Sequence, residues 1–275
     1  MSETNAPADG WWQDAIGYEV YLRSFADGDG DGIGDFAGLT DRLDHLADLG
    51  VDIVWVTPFY PSPQADFGYD VADYRDVDPV YGTLEDFDRF LAKAKGLGLK
   101  VLVDIVPNHS SSLHPWFRSA VLGGRESPHR DYYVWADPAP DGGRPNNWLS
   151  MFGGPAWTLD DRSGQYYMHL CLPEQPDLNW ENDAVRAEFL EILRFWLDRG
   201  VDGFRIDVAH SLTEDQSFSD NPPSADLPEG AEPKVFADLD HRFDLDRAET
   251  VDIFAEWRTV ADAYDAVLIG EVYLN

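Results

Sequence analysis

Five short apolar runs, each followed by a helical pattern, constrain this chain more than any other feature. They are residues 18–25 (YEVYLRSF), 51–56 (VDIVWV), 100–106 (KVLVDIV), 203–207 (GFRID) and 266–272 (AVLIGEV). The runs are near-continuously apolar, the pattern of strands buried on both faces, as in a parallel sheet. Helical stripes fill the gaps. Phe36, Leu39, Leu43 and Leu46 recur three and four apart, with Asp35 placed to cap and Gly50 to stop. Leu84, Phe87, Leu91 and Ala94 make a second stripe, opened by Thr83 and Asp86 in a capping-box arrangement and ended by Gly96. Val185, Phe189, Ile192 and Trp196 make a third, between Asp183 and Gly200, and Val251, Phe254 and Tyr264 mark a less regular fourth. Strand then helix, repeated, predicts an α/β fold built as a right-handed βα series.

Two interruptions break the rhythm. Residues 108–183, rich in Pro, Gly, Trp and Tyr, are long enough for a small subdomain, with residues 165–172 as one candidate strand. Residues 211–247, polar and carrying Pro222-Pro223 and Gly230, read as a surface loop. A closed (β/α)8 TIM barrel needs eight strands. Five are visible, so either the sheet is open or the chain is part of a longer protein. Residues 1–10 are small and polar and read as a frayed tail, with neither the basic nor the apolar segment of a signal peptide. No apolar run approaches the roughly 18 residues of a membrane span, so a cytoplasmic protein is the default expectation.

Charge narrows the partners. Twenty Lys and Arg against 52 Asp and Glu leave a net charge of −32. Such a surface repels phosphate backbones and anionic lipids, which argues against nucleic-acid and membrane partners and favours a neutral substrate or a cation such as Ca²⁺. The single cysteine, Cys171, excludes an internal disulfide framework and sits in an apolar strand pattern, as a buried inert thiol would. His45 lies on an amphipathic helix and reads as structural.

In a βα barrel, chemistry gathers where strands end. Asp104, Asn108 and His109 follow the third run, Arg205 and Asp207 close the fourth, and Glu271 closes the fifth. Two carboxylates on adjacent strand ends could share one pocket, as glycoside hydrolysis requires, one attacking the anomeric carbon and the other protonating the leaving oxygen. Arg205, two residues before Asp207, shares its strand face and is expected to keep it ionised, whereas the general acid needs a raised pKa. Alone, each acid could equally be a helix cap or solvated. Most of the many aromatic side chains are expected in the core, with Tyr69, after Asp66, and Phe152, near Asn146-Asn147, as candidates to stack on a sugar. Asp27, Asp29, Asp31, Gly32, Ile33 and Asp35 match the start of an EF-hand loop, but Gly38 stands at its twelfth position and no helix precedes it. A cation loop and a flexible acidic turn are both open readings.

Four stretches, DIVPNH (104–109), QPDLN (175–179), GFRID (203–207) and GEV (270–272), resemble in order and separation the motifs of the α-amylase superfamily of retaining glycoside hydrolases, glycoside hydrolase family 13. QPDLNWEN and the DGDGDGIGD loop narrow the likeness to its oligo-1,6-glucosidase and α-glucosidase branch. The resemblance runs over residues 11–275. It implies a (β/α)8 barrel of which about the first five βα units are here: residues 1–107 as its first part, 108–180 as an inserted domain B, and 181–275 as its continuation, cut after strand five. It implies Asp207 as nucleophile, Glu271 as acid/base and Arg205 as the residue orienting Asp207. Asp66, Tyr69, His109 and Gln175 would hold the terminal glucose, with Phe152 as an aromatic wall. Asp27, Asp29, Asp31, the Ile33 carbonyl and Asp35 would form a structural Ca²⁺ or Mg²⁺ loop. The implied activity is hydrolysis of terminal α-linked glucose from short malto- or isomalto-oligosaccharides, with the 275-residue stretch alone inactive. Val208 and its DVAH context leave α-1,4 against α-1,6 linkage open. The alternatives are a glucosyltransferase or isomerase like trehalose synthase or sucrose isomerase, or a non-catalytic sugar-binding fragment. The oligomeric state is not legible.

Overall fold

The structure, a computed structural model, describes residues 10–273; the N-terminal tail expected over residues 1–10 lies almost wholly outside them. The elements in chain order are β1 (Gly17–Val20), α1 (Leu22–Phe25), α2 (Phe36–Leu49), β2 (Ile53–Val56), α3 (Leu84–Gly96), β3 (Lys100–Ile105), α4 (Pro115–Gly123), β4 (Trp135–Ala136), β5 (Trp157–Asp160), β6 (Gln165–Met168), α5 (Asp183–Arg199), β7 (Gly203–Ile206), α6 (Glu249–Asp262) and β8 (Val267–Gly270). Strands β1, β2, β3, β7 and β8 form one parallel sheet in that order. This is the expected α/β series: five parallel strands, the first four each followed by a crossover helix (α2, α3, α5 and α6) among the described residues. No helix among the described residues is long and apolar enough to cross a membrane.

Alternation along the strands separates two faces. Val54, Val56, Val101, Val103, Phe204 and Ile206 face the helices and join the main core with Phe36, Phe59, Phe87 and Trp196. Ile53, Leu102 and Val267 form a second cluster on the inner face, with Trp11 and Trp55. Burial on both faces holds for β2, β3 and β7. It fails at the sheet edges: most of β1 is accessible, and Ile269 on β8 is 47% exposed.

The helix starts follow the sequence signals. Asp35 caps α2 by accepting from Gly38 N–H at 2.6 Å. Thr83 and Asp86 form the reciprocal capping box of α3. Three expectations are corrected. The first run stays extended only to Val20, because Leu22 drops into the core and the chain makes the single turn of α1. In α6 the buried face is Thr250, Ile253, Trp257, Val260 and Ala261, whereas Val251 and Tyr264 are exposed. Trp257 sets that rotation by stacking on Phe189 and packing against Trp180. Strand β6 ends at Met168, so Cys171 lies beyond it in a bend.

The segment between β3 and α5 carries α4 and a small antiparallel sheet in the order β4-β6-β5. Its core is Val134, Ala136, Trp148, Ala156, Trp157 and Met168, with Phe218 and Phe243 packed against it from the 211–247 segment. That segment is therefore more than the expected surface loop: Leu212, Thr213, Glu214, Asn221 and Asp244 are buried, and it straps the small sheet to the barrel strands.

Gly203 sits where β7 comes closest to β8. A Cβ there would lie 2.1 Å from the Val267 carbonyl oxygen and 2.8 Å from its nitrogen, both backbone atoms that cannot rotate away. Gly203→Ala is expected to destabilise the protein by about 1–3 kcal/mol, the usual cost of overpacking, seen as a lower midpoint in urea unfolding.

Candidate active site

Parallel register sets Asp104 on β3 beside Arg205 on β7, and Asp207 follows directly at the end of that strand. The Arg205 guanidinium donates from Nη1 to Asp104 Oδ1 and to Asp207 Oδ1, each at 2.7 Å, and from Nη2 to Glu271 Oε1 at 2.5 Å. Three carboxylates from three adjacent strand ends thus share one cation. Trp55 Nε1 donates to the second oxygen of Asp104 at 2.9 Å, and the Trp55 and Tyr69 rings lie 5.2 and 5.7 Å from the guanidinium. Asp104 is fully buried and Asp207 nearly so.

One guanidinium cannot neutralise three acids, so their protons are redistributed. Burial pushes Asp104 up to about 7 against the pull of Arg205. Burial also pushes Asp207 well up, Asp104 adds to the push, and Arg205 opposes it. Burial acts the same way on Glu271, but the Tyr273 hydroxyl, the Val208 N–H and Arg205 together outweigh it, and its net shift is downward. Burial works against the charge of Arg205, and Asp104 and Asp207 more than offset it. These directions reverse the expectation of a depressed Asp207 and a raised Glu271. For Asp207 the cause is burial first, with Asp104 adding to it; for Glu271 it is the hydrogen bonds from Tyr273 and Val208 together with Arg205. The three carboxylates titrate as a set.

Val208, directly after Asp207, has φ +44°, a left-handed conformation that a β-branched residue rarely adopts. The turn it makes aims its N–H at Glu271 Oε2, 3.2 Å away. Backbone strain is thus spent on linking the two strand-end acids.

The remaining groups come from loops. Gln175 Nε2 donates to Asp66 Oδ2 at 2.9 Å and to His109 Nε2 at 2.8 Å. His109 Nε2 is then an acceptor, its proton is on Nδ1, and Nδ1 donates to Asn108 Oδ1 at 2.9 Å. Burial holds His109 down to about 3, in keeping with this neutral tautomer. Asp66 is held by the buried Asp70, which accepts from Ser62 Oγ, Ala65 N–H and Asp66 N–H, and Tyr69 N–H donates to the Asp66 carbonyl at 2.9 Å. Gly68, at φ +107°, has its Cβ position 2.8 Å from the Pro58 carbonyl, so that bend needs glycine.

Asp66, Tyr69, His109, Phe152, Arg205, Asp207 and Glu271 line one cavity of about 300 Å³ together with Met151, Cys171, Val208 and Tyr273. Gln175 is fully buried just behind it. Every catalytic and substrate-binding candidate read from the sequence is therefore at this place. Sequence reasoning left Asp104 without a role, although an acid inside an apolar strand run is itself a signal. Cys171 lies beyond the strand in which the sequence pattern places it and forms part of the wall. Nothing in the sequence singled out Tyr273.

The acidic loop lies apart, between α1 and α2. Asp27, Asp29 and Asp35 each bring a carboxylate oxygen within 4.8 Å of the others. Asp31 does not join them; its Oδ1 accepts from Ile33 N–H at 2.7 Å. Asp27 accepts from Gly30 and Gly32 N–H, which lower its pKa. The converging groups are all oxygens, and their spacing can be bridged by one ion with ligands at about 2.3–2.6 Å, so the three carboxylates fit a hard cation.

An α/β protein with opposed carboxylates at the carboxyl ends of its parallel strands has the site geometry of a barrel enzyme. The comparisons make the class specific. The chain belongs to the alpha-amylase family: residues 19–275 match the family described as Alpha amylase, catalytic domain. It is 47% identical over 283 residues to a probable alpha-glucosidase of Rhizobium meliloti (strain 1021), covering 99% of this chain and 51% of that protein. It is 50% identical over 220 residues to an oligo-1,6-glucosidase of Heyndrickxia coagulans, covering 80% of this chain and 39% of that protein. Among solved structures, the alpha-glucosyl transfer enzyme XgtA superposes with a TM-score of 0.92 at 46% identity, over 97% of this chain and 50% of that one. The chain thus spans about half the length of the first relative and less of the second.

Removing the shared cation should expose the cost of the buried acids. Arg205→Met is expected to lose about 3–5 kcal/mol at pH 8, the penalty of unpaired buried charge. Asp104 is raised, so the folded state binds protons that the unfolded state has released between about pH 4 and 7. Stability from that group is present at low pH and lost as pH rises through 7. Urea unfolding at pH 5 and pH 8 should therefore show the variant recovering part of its deficit at pH 5.

Proposed function

We propose that the protein carrying these residues is a retaining α-glucosidase that releases terminal α-linked glucose from short malto- or isomalto-oligosaccharides. The observation that carries this reading is the attachment of Asp207 and Glu271, from adjacent strand ends, to one guanidinium in a single cavity. Asp207 attacks the anomeric carbon while Glu271 gives its proton to the leaving glycosidic oxygen. The C1–O bond breaks and a glucosyl ester forms on Asp207. Glu271, now ionised, takes a proton from water as that water attacks C1, the ester bond breaks, and Asp207 is released as carboxylate. Arg205 orients Asp207 and holds the ionised form against its buried surroundings. A sugar seated over Glu271 removes its remaining contact with water, the change that would raise it into the range of a general acid.

Asp66, His109 and Gln175 offer donors and acceptors to sugar hydroxyls, and Tyr69 and Phe152 offer apolar faces to the ring. The net charge of −32 suits a neutral substrate. Glucosyl transfer is the second reading, favoured by the high similarity to an enzyme of that description. It keeps the ester on Asp207 and replaces water with a sugar hydroxyl.

The Asp27, Asp29 and Asp35 carboxylates would hold a structural Ca²⁺ or Mg²⁺. Bound there, the ion would supply positive charge to a turn with no Lys or Arg of its own and would tie it to the cap of α2.

Asp207→Asn is expected to lower kcat on p-nitrophenyl α-glucoside by at least about 10⁴-fold. Glu271→Gln should lose about 10²–10⁴-fold on maltose, and less on the p-nitrophenyl substrate, whose leaving group needs no protonation. Proton NMR of the first-formed product should show α-glucose; β-glucose would exclude retention. Calcium should raise the melting temperature in a concentration-dependent way, and Asp27→Ala should abolish the rise. A calcium response unchanged in that variant would remove the loop as the site.

A further inference from the structure

The strap between β7 and α6 holds a buried charge pair that the chemistry above does not use. His241 Nδ1 lies 2.9 Å from Asp244 Oδ2, and His241 Nε2 lies 2.8 Å from the Phe236 carbonyl oxygen. The two side chains are 7% and 0% exposed. The Phe236 ring stacks on the imidazole at 3.6 Å between centroids. Both ring nitrogens therefore face acceptors, a carboxylate and a carbonyl, neither of which has a proton to give. Only the imidazolium carries two N–H donors. Geometry thus calls for a proton on both ring nitrogens, the charged form of His241.

From this pair a hydrogen-bond path leads to the pocket. Asp244 Oδ1 accepts from Asn221 Nδ2 at 2.8 Å, and Asn221 Oδ1 accepts from the N–H groups of Arg242 and Phe243. Asn147 clasps the Asn221 backbone in both directions, donating from Nδ2 to its carbonyl at 2.8 Å and accepting its N–H at 2.9 Å. Trp148 Nε1 donates to the Ser219 carbonyl, and Phe218, held at φ +50°, packs edge-on against Trp148 and Trp157. Two residues past Trp148, Ser150 Oγ donates to the Cys171 carbonyl at 2.6 Å and accepts the Phe152 N–H at 3.1 Å. Met151, Phe152 and Cys171 are pocket wall.

We propose that the His241–Asp244 pair is a pH-sensitive positioning device, which in its charged form locks residues 218–221 onto residues 146–148 and so fixes the wall made by Met151, Phe152 and Cys171. Loss of the His241 proton removes one of its two hydrogen bonds, leaves Asp244 buried without its cation, and releases the strap. The charged groups that act most strongly on His241 are Asp244 and Asp240, and Asp240 is itself paired with Arg242. Burial works against the imidazolium and these acids outweigh it, so His241 is raised above its ordinary value. A raised histidine contributes stability that is full below about pH 6.5 and is lost as pH rises through the folded-state pKa. The proposal rests on the glucosidase reading only for its kinetic readout.

The test combines three readouts between pH 5.5 and 9.5. Proton NMR follows the His241 ring, assigned by its loss in His241→Gln. Hydrogen exchange, corrected for intrinsic rates, follows residues 218–221. Steady-state kinetics follow p-nitrophenyl α-glucoside. The expected result is a His241 pKa above 6.5, protection of 218–221 that falls through the same pH, and a KM that rises by roughly 3- to 30-fold there with a smaller change in kcat. In Asp244→Asn the new amide can donate to a neutral His241 Nδ1 while Nε2–H keeps the Phe236 carbonyl. The strap should then stay protected and KM should be flat across the range. A His241 pKa at or below 6.5, or a KM rise that persists in Asp244→Asn, would overturn the proposal. The NMR and exchange readouts need no substrate, so they decide the switch whether or not sugar is turned over, and absence of turnover bears on the glucosidase reading only in a protein that carries the remaining barrel strands.

Discussion

Everything at the mouth of this sheet is arranged around Arg205. A guanidinium in a site this dry costs free energy to bury, and so does each acid beside it. The cluster persists because every partner is a charge-assisted hydrogen bond and because Trp55 and Tyr69 wall it off. Replacing the four groups with well-packed apolar side chains would make an easier core. Their presence on the inner face, against Ile53, Leu102 and Val267, is a polar intrusion of the kind that functional sites make into otherwise consistent folds.

The same arrangement puts acids of one chemical type into different surroundings. Asp104 is buried, is fixed by Trp55 and has no opening to the cavity. Its charge bears on Asp207 without touching a ligand, which makes it a positioning residue. Asp207 and Glu271 both line the cavity but differ in surroundings: Asp207 lies at the end of a strand buried throughout, whereas Glu271 receives the Tyr273 hydroxyl and the Val208 N–H. Without a sugar these surroundings push Asp207 up and Glu271 down, the reverse of what a nucleophile and a general acid need, so the strand ends alone do not set the two proton affinities for those tasks.

Much of this was legible in the sequence, for identifiable reasons. Near-continuous apolar runs read as parallel strands because burial on both faces leaves no room for alternation, and that reading fails only at β1 and β8, where one face has no cover among the described residues. The caps at Asp35 and Thr83 are local and were visible as such. The rotation of α6 was not, because it depends on Trp257 meeting Phe189 from a helix more than 60 positions earlier. The 211–247 segment was misread for a related reason. Polar composition suggested solvent, whereas its asparagines and acids are consumed by hydrogen bonds to residues 146–148 and to one another. At the site, strand-end acids announced themselves by position. Cys171 and Tyr273 could not, since their place in the wall is set by bends rather than by any periodic element.

Two construction principles therefore meet in one cavity. The charged groups stand on strand ends whose backbone is fixed by the sheet ladder. The groups that can meet a sugar stand on loops, each pinned by polar side chains: buried Asp70 under Asp66, buried Gln175 between Asp66 and His109, and exposed Asn147 with buried Asn221 behind the Phe152 wall. A buried polar anchor costs little while all its bonds are made and a great deal when one is lost. The strand-end acids keep their spacing for a different reason: the sheet, not their own charge, holds them in place.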